Sequence, residues 1–589
     1  MARTNRRLAR SLILAALAGI GALSGASYAA PATCARYIVE ASSSAAAHQA
    51  VERVGGKVEQ ELEIIHGVSA QLDAAQAAVL RASAGVRLYA DRSVGTRSTF
   101  ASTLVSNASA GTPLTDGSAV STPIYMYQTD YPALVGADTL QKAGITGQGV
   151  TIAVLDTGLW QDPSQQYSTF TMFGPTSRIL ASIDVFNGGS GAVTGDPYGH
   201  GTHITSIAAG GAVNMAGGYL GIAPKANLVI VRAFDGVGAG RYSDVIAGLN
   251  WIVANKAKYK IRVLNLSFGA TPQSDYWDDP LNQAVMAAWQ AGIVVVAAAG
   301  NEGPTPMTIG VPGNVPYVIT AGALTDNNTP YDGTDDRLAS FSSTGPTYEG
   351  FVKPELVAPG GHMVGSQQST SYLANIDPGS MTVYQTLFTM SGTSQAAAVT
   401  TGVVALMLQS DPTLTPDNVK CRLMAAARPA ITSTGTLAYS VFQQGAGLIN
   451  AVDAVNSSAT GCANVGLNIA ADLAGTAHFG GPANQDANGN YYLMDLGASK
   501  WGTPLTGDGF TWSRGFTWSK GFTWSTGFTW SKGFTWSKGF TWSKAATWTS
   551  GFTWSKGFTW SKSLPWWGTN GTGLTATKPA SIVSWVPNQ

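Results

Sequence analysis

Three segments of this 589-residue chain carry the side-chain types that nucleophilic catalysis combines. Asp156 ends the apolar run VTIAVLD, His200 lies in GHGTH, and Ser394 lies in SGTS. A serine hydroxyl is a weak nucleophile until a neighbouring base takes its proton, and a third group commonly orients that base. The three segments could therefore supply the nucleophile, the base and the orienting group of one site.

Asp156 also fits two other interpretations. An aspartate two residues before Gly158 is common where a strand ends in a turn. The letters DTG also occur in aspartic peptidases, but that chemistry needs two carboxylates that share one proton. No second Asp-Thr-Gly or Asp-Ser-Gly occurs in the chain, so the aspartic-peptidase interpretation fails.

His200 is one of only six histidines, and Gly199 and Gly201 on either side leave space for its ring to meet a neighbour. Together with His203 it could suggest a metal site, but no nearby Cys or Glu completes a recognisable ligand set. A single histidine is more often a satisfied structural residue. We assign that role to His48, His66, His203, His362 and His478.

Ser394 stands where small residues meet a long apolar run, QAAAVTTGVVALML. It could simply cap a helix, but Ser391 or Thr393 could do so equally well. The positive end of a helix dipole would stabilise an oxyanion beside this hydroxyl. The small neighbours would then leave space for the carbonyl group that is attacked.

A sheet must position these residues. From about residue 125, apolar runs such as GVTIAVLD, NLVIVRAF and GIVVVAAAG alternate with helix-length segments. This alternation predicts an α/β fold in three layers, with a mainly parallel central sheet covered on both faces. Ligands of such sheets bind outside the carboxyl ends of the strands, which is where Asp156 lies.

The segments VLDTG, GHGTH and SGTSQAAA, in this order, resemble the subtilisin-like serine peptidases, or subtilases, over roughly residues 125–457. The resemblance implies a serine endopeptidase in which Ser394 attacks a peptide carbonyl, His200 transfers the proton and Asp156 orients the imidazole. It implies protein or peptide substrates and no organic cofactor. It does not identify the natural substrate.

Other positions acquire roles from the same resemblance. Asn301 in AAAGNEG would complete an oxyanion hole with the backbone N–H of Ser394. Substrates would pair as an extra β-strand between NLSFG and GVGAG, beside the wall formed by AAAG. The expected substrate-binding residues are Ser267, Phe268, Gly269, Gly238, Ala239, Gly240, Ala298, Ala299 and Gly300.

The N-terminus predicts export. Residues 1–29 contain four arginines, a short apolar stretch and small residues before a cleavage site after Ala29, although twin-arginine export is an alternative. The apolar stretch is too short to span a membrane. Residues 30–95 read as strand, helix, strand, strand, helix, strand and resemble the small α+β propeptide that inhibits subtilases. A linker, 96–124, follows.

Cysteines and cations are less clearly defined. Export permits disulfides, and we pair Cys421 with Cys462 because Cys34 lies in a segment that the maturation would remove. Unpaired thiols are the alternative. Subtilases often bind structural Ca²⁺, which the loops VNMAGGYLGIAP or DNNTPYDGTDDR could hold. No ligand set is readable, because backbone carbonyl ligands leave no trace in a sequence.

The C-terminal part begins with a linker region, 458–508, and ends with a tail, 563–589. Between them, residues 509–562 hold nine six-residue units, mostly GFTWSK. An even period keeps Phe, Trp and Lys on one face of an extended strand. The repeats could bury one another in a β-rich structure, or stay disordered and exposed and bind polysaccharide or a cell surface.

Charge favours neither nucleic acid nor an acidic membrane as a partner, because 34 basic residues balance 34 acidic ones. No later apolar run is long enough to span a membrane, so we expect a secreted protein. The leading hypothesis is a secreted endopeptidase with its own propeptide as an intramolecular inhibitor. The alternative is a catalytically silent protein that binds surfaces through its repeats. The complete set of catalytic residue types favours the enzyme.

Overall fold

The computed structural model describes residues 34–96, 130–160 and most of 178–505, together with four short strands between 522 and 560. Between 178 and 505 it leaves out 194, 214–216, 328, 330–332, 334, 382–385, 433–436, 496–499 and 501–502. The predicted signal peptide, most of the linker 96–124 and the tail 563–589 lie outside the described residues. Within the described ranges, no helix is long and apolar enough to cross a membrane.

The N-terminal unit has the element order that the sequence predicts. Its strands form an antiparallel sheet in the order β2-β3-β1-β4, and its helices pack on an apolar core that includes Val39, Val68 and Leu80. Asp73 begins the second helix in a reciprocal capping box with Gln76. The elements are β1 Ala35–Glu40, α1 Ser44–Arg53, β2 Lys57–Leu62, β3 Gly67–Leu72, α2 Ala74–Ala82 and β4 Arg87–Ala90.

The strand that follows this unit, β5, spans Ser93–Gly95 and pairs with a strand of the next domain. The central sheet of that domain runs β13-β12-β11-β10-β6-β8-β7, with β14 also beside β12. Only β13 is antiparallel to its neighbour, which confirms the mainly parallel sheet. Three further strands of the domain, β9, β15 and β16, lie outside the central sheet. The strands of the domain are β6 Thr151–Asp156, β7 Ile179–Asp184, β8 Asn227–Arg232, β9 Ala239–Arg241, β10 Ile261–Leu266, β11 Val294–Ala298, β12 Ile319–Thr325, β13 Arg337–Leu338, β14 Leu356–Pro359, β15 Met363–Ser366 and β16 Leu387–Met390.

Helices cover the sheet in two groups. One group centres on Thr393–Ser410, which is buried along all but its last two residues and therefore shows no polar face. The other contains two helices that contact each other, Tyr242–Ala254 and Pro280–Gln290. In chain order the helices are α3 Tyr131–Leu134, α4 Ala137–Lys142, α5 His200–Ala209, α6 Tyr242–Ala254, α7 Lys256–Tyr259, α8 Pro280–Gln290, α9 Tyr372–Ile376, α10 Thr393–Ser410, α11 Pro416–Ala426, α12 Val441–Gln444 and α13 Ala451–Asn456.

The region 458–508, which we expected to be a linker, contains elements that pack on the domain of the central sheet. They are helix α14 Ile469–Leu473 and the antiparallel strands β17 Ala483–Gln485 and β18 Tyr491–Leu493. The carboxylate of Asp472 is buried and accepts hydrogen bonds from the hydroxyls of Tyr276 and Tyr317, at 2.5 and 3.0 Å. Elements of three to five residues are too short to show hydrophobic periodicity, so the sequence did not reveal them.

Cysteine pairing and four repeat strands complete the description. Cys421 of α11 forms a disulfide with Cys462, with a Cα–Cα distance of 5.2 Å. The repeat strands pair as two antiparallel ribbons in one register, so that Phe522 lies opposite Trp530 and Phe552 opposite Trp560. They are β19 Phe522–Ser525, β20 Gly527–Trp530, β21 Phe552–Thr553 and β22 Thr559–Trp560. Binding of the repeats to polysaccharide or cell surface stays a prediction.

Candidate active site

The fold gathers the three candidate catalytic residues at element ends. Asp156 is the last residue of β6, His200 the first of α5, and Ser394 the second of α10. Because β6 is parallel to both of its neighbours, its carboxyl end lies at the edge of the sheet where the strands end and ligands commonly bind. All three side chains are at least nine-tenths buried, which strengthens electrostatic interactions between them.

Asp156 and His200 form a direct contact. The Nδ1 atom of His200 lies 2.8 Å from Oδ1 of Asp156, which also accepts the backbone N–H of Thr157 at 2.8 Å. A carboxylate only accepts hydrogen bonds, so Nδ1 carries the hydrogen of the imidazole. The other ring nitrogen, Nε2, is therefore the one that can accept a proton.

The glycines around His200 serve close backbone contacts. Gly199 has φ of 103°, a left-handed conformation that favours glycine, and a Cβ there would overlap the amide of Gln367. A Cβ on Gly201 would overlap the carbonyl oxygen of Gly158. The sequence suggested that these glycines leave space for the ring, whereas their described contacts fix the backbone on both sides of it.

Asp196 is a positioning residue that the sequence analysis missed. Its buried carboxylate accepts from the Thr157 hydroxyl and the Gly199 N–H, both at 2.8 Å. It also accepts the N–H and hydroxyl of Thr202, at 2.8 and 2.7 Å. These bonds tie the turn after β6 to the start of α5. An aspartate shortly before a helix reads as an ordinary cap, so no signal distinguished it.

Ser394 lies beside Ser267, the residue that follows β10 in the middle of the central sheet. Among the hydrogen bonds of the described residues, Ser394 Oγ donates to the carbonyl of Ser267 at 3.1 Å and makes none to His200. The Ser267 hydroxyl donates to the carbonyl of Ser394 at 3.0 Å. Catalytic hydrogen bonds are often absent or long until a substrate is bound, so this geometry fits a resting site.

Asn301 points its amide nitrogen into a small space next to Ser394. Its Oδ1 accepts the N–H and the hydroxyl of Thr393, at 2.8 and 2.9 Å, which turns Nδ2 the other way. The point where a Cβ of Gly392 would stand is 2.7 Å from Gln395 Oε1, 3.4 Å from Nδ2 and 3.7 Å from the N–H nitrogen of Ser394. Two donors thus converge on a space that any side chain at Gly392 would enter.

The groove for an extended strand is filled by the chain's own β5. Gly95 donates to and accepts from Gly269, at 3.3 and 3.0 Å, and Thr96 N donates to the carbonyl of Gly238 at 3.1 Å. On the side of β5 that contacts Gly238, β5 pairs antiparallel with β9, which includes Ala239 and Gly240. The structure therefore places one strand between the two segments that the sequence assigned to substrate.

Other predicted groove residues have different surroundings. Phe268 is buried against Phe234, with ring centroids 5.2 Å apart. Ala298 ends β11, and Ala299 continues the sheet by donating to the carbonyl of Ala321 at 3.1 Å. Gly300 donates to the Thr393 hydroxyl at 3.1 Å. Among the described contacts, none joins the last three to β5.

Charged groups dock the N-terminal unit. Asp91 accepts the N–H and hydroxyl of Ser243 at the start of α6, at 2.9 and 2.8 Å. Arg92 pairs with the buried carboxylate of Asp279. Glu40 pairs with Arg87 at 2.8 Å, yet burial raises the pKa of Glu40 to about 7. Burial also raises the pKa of Asp91. Glu40 and Asp91 are therefore buried away from water in the folded chain, and the partner of Glu40 lies within the N-terminal unit itself.

The described residues contain no candidate metal site. His203 is buried, its Nε2 lies 3.0 Å from the carbonyl of Phe388, and burial lowers its pKa to about 4, so it is a neutral structural histidine. Within the described ranges, no group of three or more His, Cys, Asp or Glu could hold a metal. Both loops considered for Ca²⁺ are only partly described, so calcium stays a prediction.

Comparison with known proteins places this site in a family. Residues 147–447 match the subtilase family of peptidases. Serine protease AprX of Bacillus subtilis (strain 168) is 40% identical over 284 residues, which cover 47% of this chain and 60% of AprX. Subtilisin DY of Bacillus licheniformis is 31% identical, with 54% of this chain and 94% of that protein covered.

A solved structure shows the same fold. Fervidolysin from Fervidobacterium pennivorans, described as a keratinolytic enzyme related to subtilisin, superposes with a TM-score of 0.54 at 21% identity. The match covers 78% of this chain and 65% of fervidolysin. The fold is that of the subtilisin-like serine peptidases. The chain belongs to the subtilase family.

Proposed function

We propose that this chain is an exported serine endopeptidase, made as a precursor that removes its own N-terminal unit. Asp156, His200 and Ser394 form its catalytic triad, and Asn301 supplies the side-chain donor of its oxyanion hole. The contact between Asp156 and His200, beside Ser394 and the two converging donors, supports these roles. The observation that carries the proposal is the strand β5, which lies in the groove like a bound peptide.

The chemistry begins when a peptide carbonyl arrives beside Ser394. Ser394 Oγ leaves its hydrogen bond to Ser267, passes its proton to His200 Nε2 and bonds to the carbonyl carbon. The carbonyl oxygen becomes an oxyanion that accepts from Asn301 Nδ2 and Ser394 N–H. His200 then gives its proton to the departing amine, and an acyl-enzyme remains.

Water completes the cycle. His200 takes a proton from the water that attacks the acyl carbon, and it returns that proton to Ser394 Oγ as the acid leaves. Asp156 keeps the hydrogen on Nδ1 and stabilises the imidazolium that forms twice in each cycle. The buried position of Asp156 makes this stabilisation stronger than it would be in water.

Strand register indicates where the precursor is cut. Gly95 lies opposite Gly269, so an antiparallel ladder continued by two residues would set position 97 opposite Ser267. The carbonyl of Ser267 is the one that Ser394 Oγ contacts. We therefore place the self-cleavage between Arg97 and Ser98, two residues that lie outside the described ranges. Until its release, β5 would block the groove as an intramolecular inhibitor.

A fluorophosphonate that reacts only with activated serines tests the catalytic assignment. We expect the processed protein to gain one label, on the peptide that contains Ser394, and to hydrolyse casein. Ser394→Ala should abolish both the label and the hydrolysis. Ser391→Ala is the matched control, because Ser391 is three residues away and, among the described hydrogen bonds, its hydroxyl only accepts the N–H of His362. Labelling of a different residue, or casein hydrolysis by Ser394→Ala, would refute the assignment.

A further inference from the structure

Tyr198 is a buried aromatic residue at the groove that the catalytic mechanism does not use. It precedes His200 by two residues and is 3% exposed. The point where a Cβ of Gly238 would stand is 2.7 Å from Cε1 and Cζ of the Tyr198 ring. The same point is 2.5 Å from the Thr96 hydroxyl oxygen. The ring and the side chain of Thr96 therefore meet beside Gly238.

An excursion of the chain, of which residues 367–381 are described, packs against Tyr198. It leaves the β15–β16 hairpin and forms α9, where Tyr372 N donates to the carbonyl of Pro197 at 2.8 Å. Leu373 N donates to the carbonyl of Tyr198 at 3.2 Å. The rings of Tyr198 and Tyr372 are stacked, with centroids 5.7 Å apart.

Apolar packing closes the remaining space around this pair. Leu373 and Phe388 are at least nine-tenths buried in one cluster with Tyr198. The amide of Gln367, at the start of the excursion, occupies the space beside Gly199. Because the Tyr198 ring is stacked on Tyr372 and packed against Leu373 and Phe388, it cannot move aside without loss of these contacts.

We propose that Tyr198, braced by Tyr372, determines which residue a substrate can place where Thr96 lies, the second residue before the cleaved bond. The inference rests on the proposed function. Small side chains such as those of Ala, Ser and Thr fit between the ring and Gly238. Leu and Phe would have to displace the stacked pair, so the enzyme selects peptides with a small residue at this position.

Peptide substrates that differ only at this position test the inference on the self-processed protein. We expect kcat/KM for Ala and Thr to exceed that for Leu and Phe by about ten- to hundredfold, the range typical of discrimination by pocket size. Tyr198→Ala should bring this ratio to about threefold or less, mainly because Leu and Phe peptides are cleaved faster. Tyr372→Ala should act in the same direction with a smaller effect.

Tyr259→Ala is the matched control, because it removes one ring of the stacked pair Trp251–Tyr259, whose centroids are 5.8 Å apart. It should leave the ratio unchanged. Equal cleavage of all peptides by the parent, or an unchanged ratio in both Tyr198→Ala and Tyr372→Ala, overturns the specificity role alone. Cleavage of no peptide by the parent overturns the proposed function and, with it, this inference.

The precursor itself offers a second measurement that needs no added peptide. Thr96→Phe should slow self-removal of the N-terminal unit at least about tenfold, by the same discrimination. Adding Tyr198→Ala to Thr96→Phe should restore the rate, because the enlarged space accepts the phenyl ring. A purely structural role of Tyr198 predicts the opposite, namely that the double variant is processed more slowly than Thr96→Phe. That result would overturn the inference even if Tyr198→Ala alone were poorly folded.

Discussion

Gly95 and Gly269 exchange two backbone hydrogen bonds, with N–O distances of 3.3 and 3.0 Å. One glycine follows the N-terminal unit and the other follows β10 of the peptidase domain. Two such bonds between one pair of residues are the pattern of an antiparallel ladder. The contact fixes the register of β5 in the groove, and the predicted cleavage position depends on that register.

Gly392→Ala should reduce kcat by about a hundredfold or more, the cost of disabling an oxyanion hole. The new methyl group would stand 2.7 Å from Gln395 Oε1, which would have to shift, and 3.4 Å from Asn301 Nδ2, in the space where the oxyanion forms. Backbone strain is not the cause, because φ of 166° at Gly392 is an extended conformation open to any residue. Gly191→Ala, where a Cβ has no neighbour within 4 Å, is the control. Unchanged kcat in Gly392→Ala would contradict the assigned oxyanion position.

Asn301→Asp tests the acceptor Oδ1 and the donor Nδ2 of the Asn301 amide separately. The variant keeps an oxygen that can accept the N–H of Thr393, but it loses the Nδ2 donor. We expect kcat to fall by about 10²–10³ while the melting temperature changes little. Peptide kinetics measure the change in kcat, and a thermal melt measures the change in melting temperature. A variant that folds normally and keeps its kcat would exclude Asn301 from the oxyanion hole.

The sequence predicted the parts of this site that stand in uninterrupted motifs. Asp156, His200 and Ser394 are each set by a local strand end or helix start, and local patterns are readable. Tyr198 was not identified, because its role depends on Tyr372, which the fold brings to it from 174 residues along the chain, as their numbers show. No periodicity records such a contact.

The segment AAAG, which we expect to form a wall of the groove, also has a second role. Ala299 pairs with Ala321 within the sheet, so a motif that resembles a groove lining also serves the core. The helix α14 is only five residues long, and a second feature also hid it. Its buried anchor is Asp472, a charged residue, whereas sequence patterns reveal buried faces through apolar residues.

Replacing both Cys421 and Cys462 with Ala should lower the free energy of unfolding by about 4 kcal/mol, the loop-entropy value for their separation. The two residues are 41 positions apart, and Cys421 is buried. Urea unfolding of the Ser394→Ala protein, which cannot digest itself, measures the loss. Cys34→Ala, at an exposed residue outside the bridge, is the control. Equal stability of both variants would show that the bridge does not constrain the unfolded chain.

Glu40→Gln should make the stability of the precursor less dependent on pH. Burial raises the pKa of Glu40 to about 7, so the folded state favours the protonated form. The parent therefore loses stability as pH rises from about 4.5 to 7, by as much as about 3 kcal/mol, while Gln does not titrate. Urea unfolding at pH 5 and pH 8, in the Ser394→Ala background, measures the difference.

The control for Glu40→Gln is Glu63→Gln, because Glu63 is exposed on the same unit. Its stability should follow that of the parent at both pH values. The advantage of Glu40→Gln over the parent should be larger at pH 8 than at pH 5. An advantage that is larger at pH 5 would mean that the ion pair with Arg87 outweighs the burial of Glu40.

The N-terminal mass of the purified protein tests the central claim most directly. The parent and Ser394→Ala are expressed in parallel, and intact mass with N-terminal sequencing identifies where each chain begins. The parent should begin at Ser98, while Ser394→Ala should retain the whole N-terminal unit after its signal peptide. If Ser394→Ala is cut at the same bond, or the parent keeps the unit, self-processing by Ser394 is contradicted.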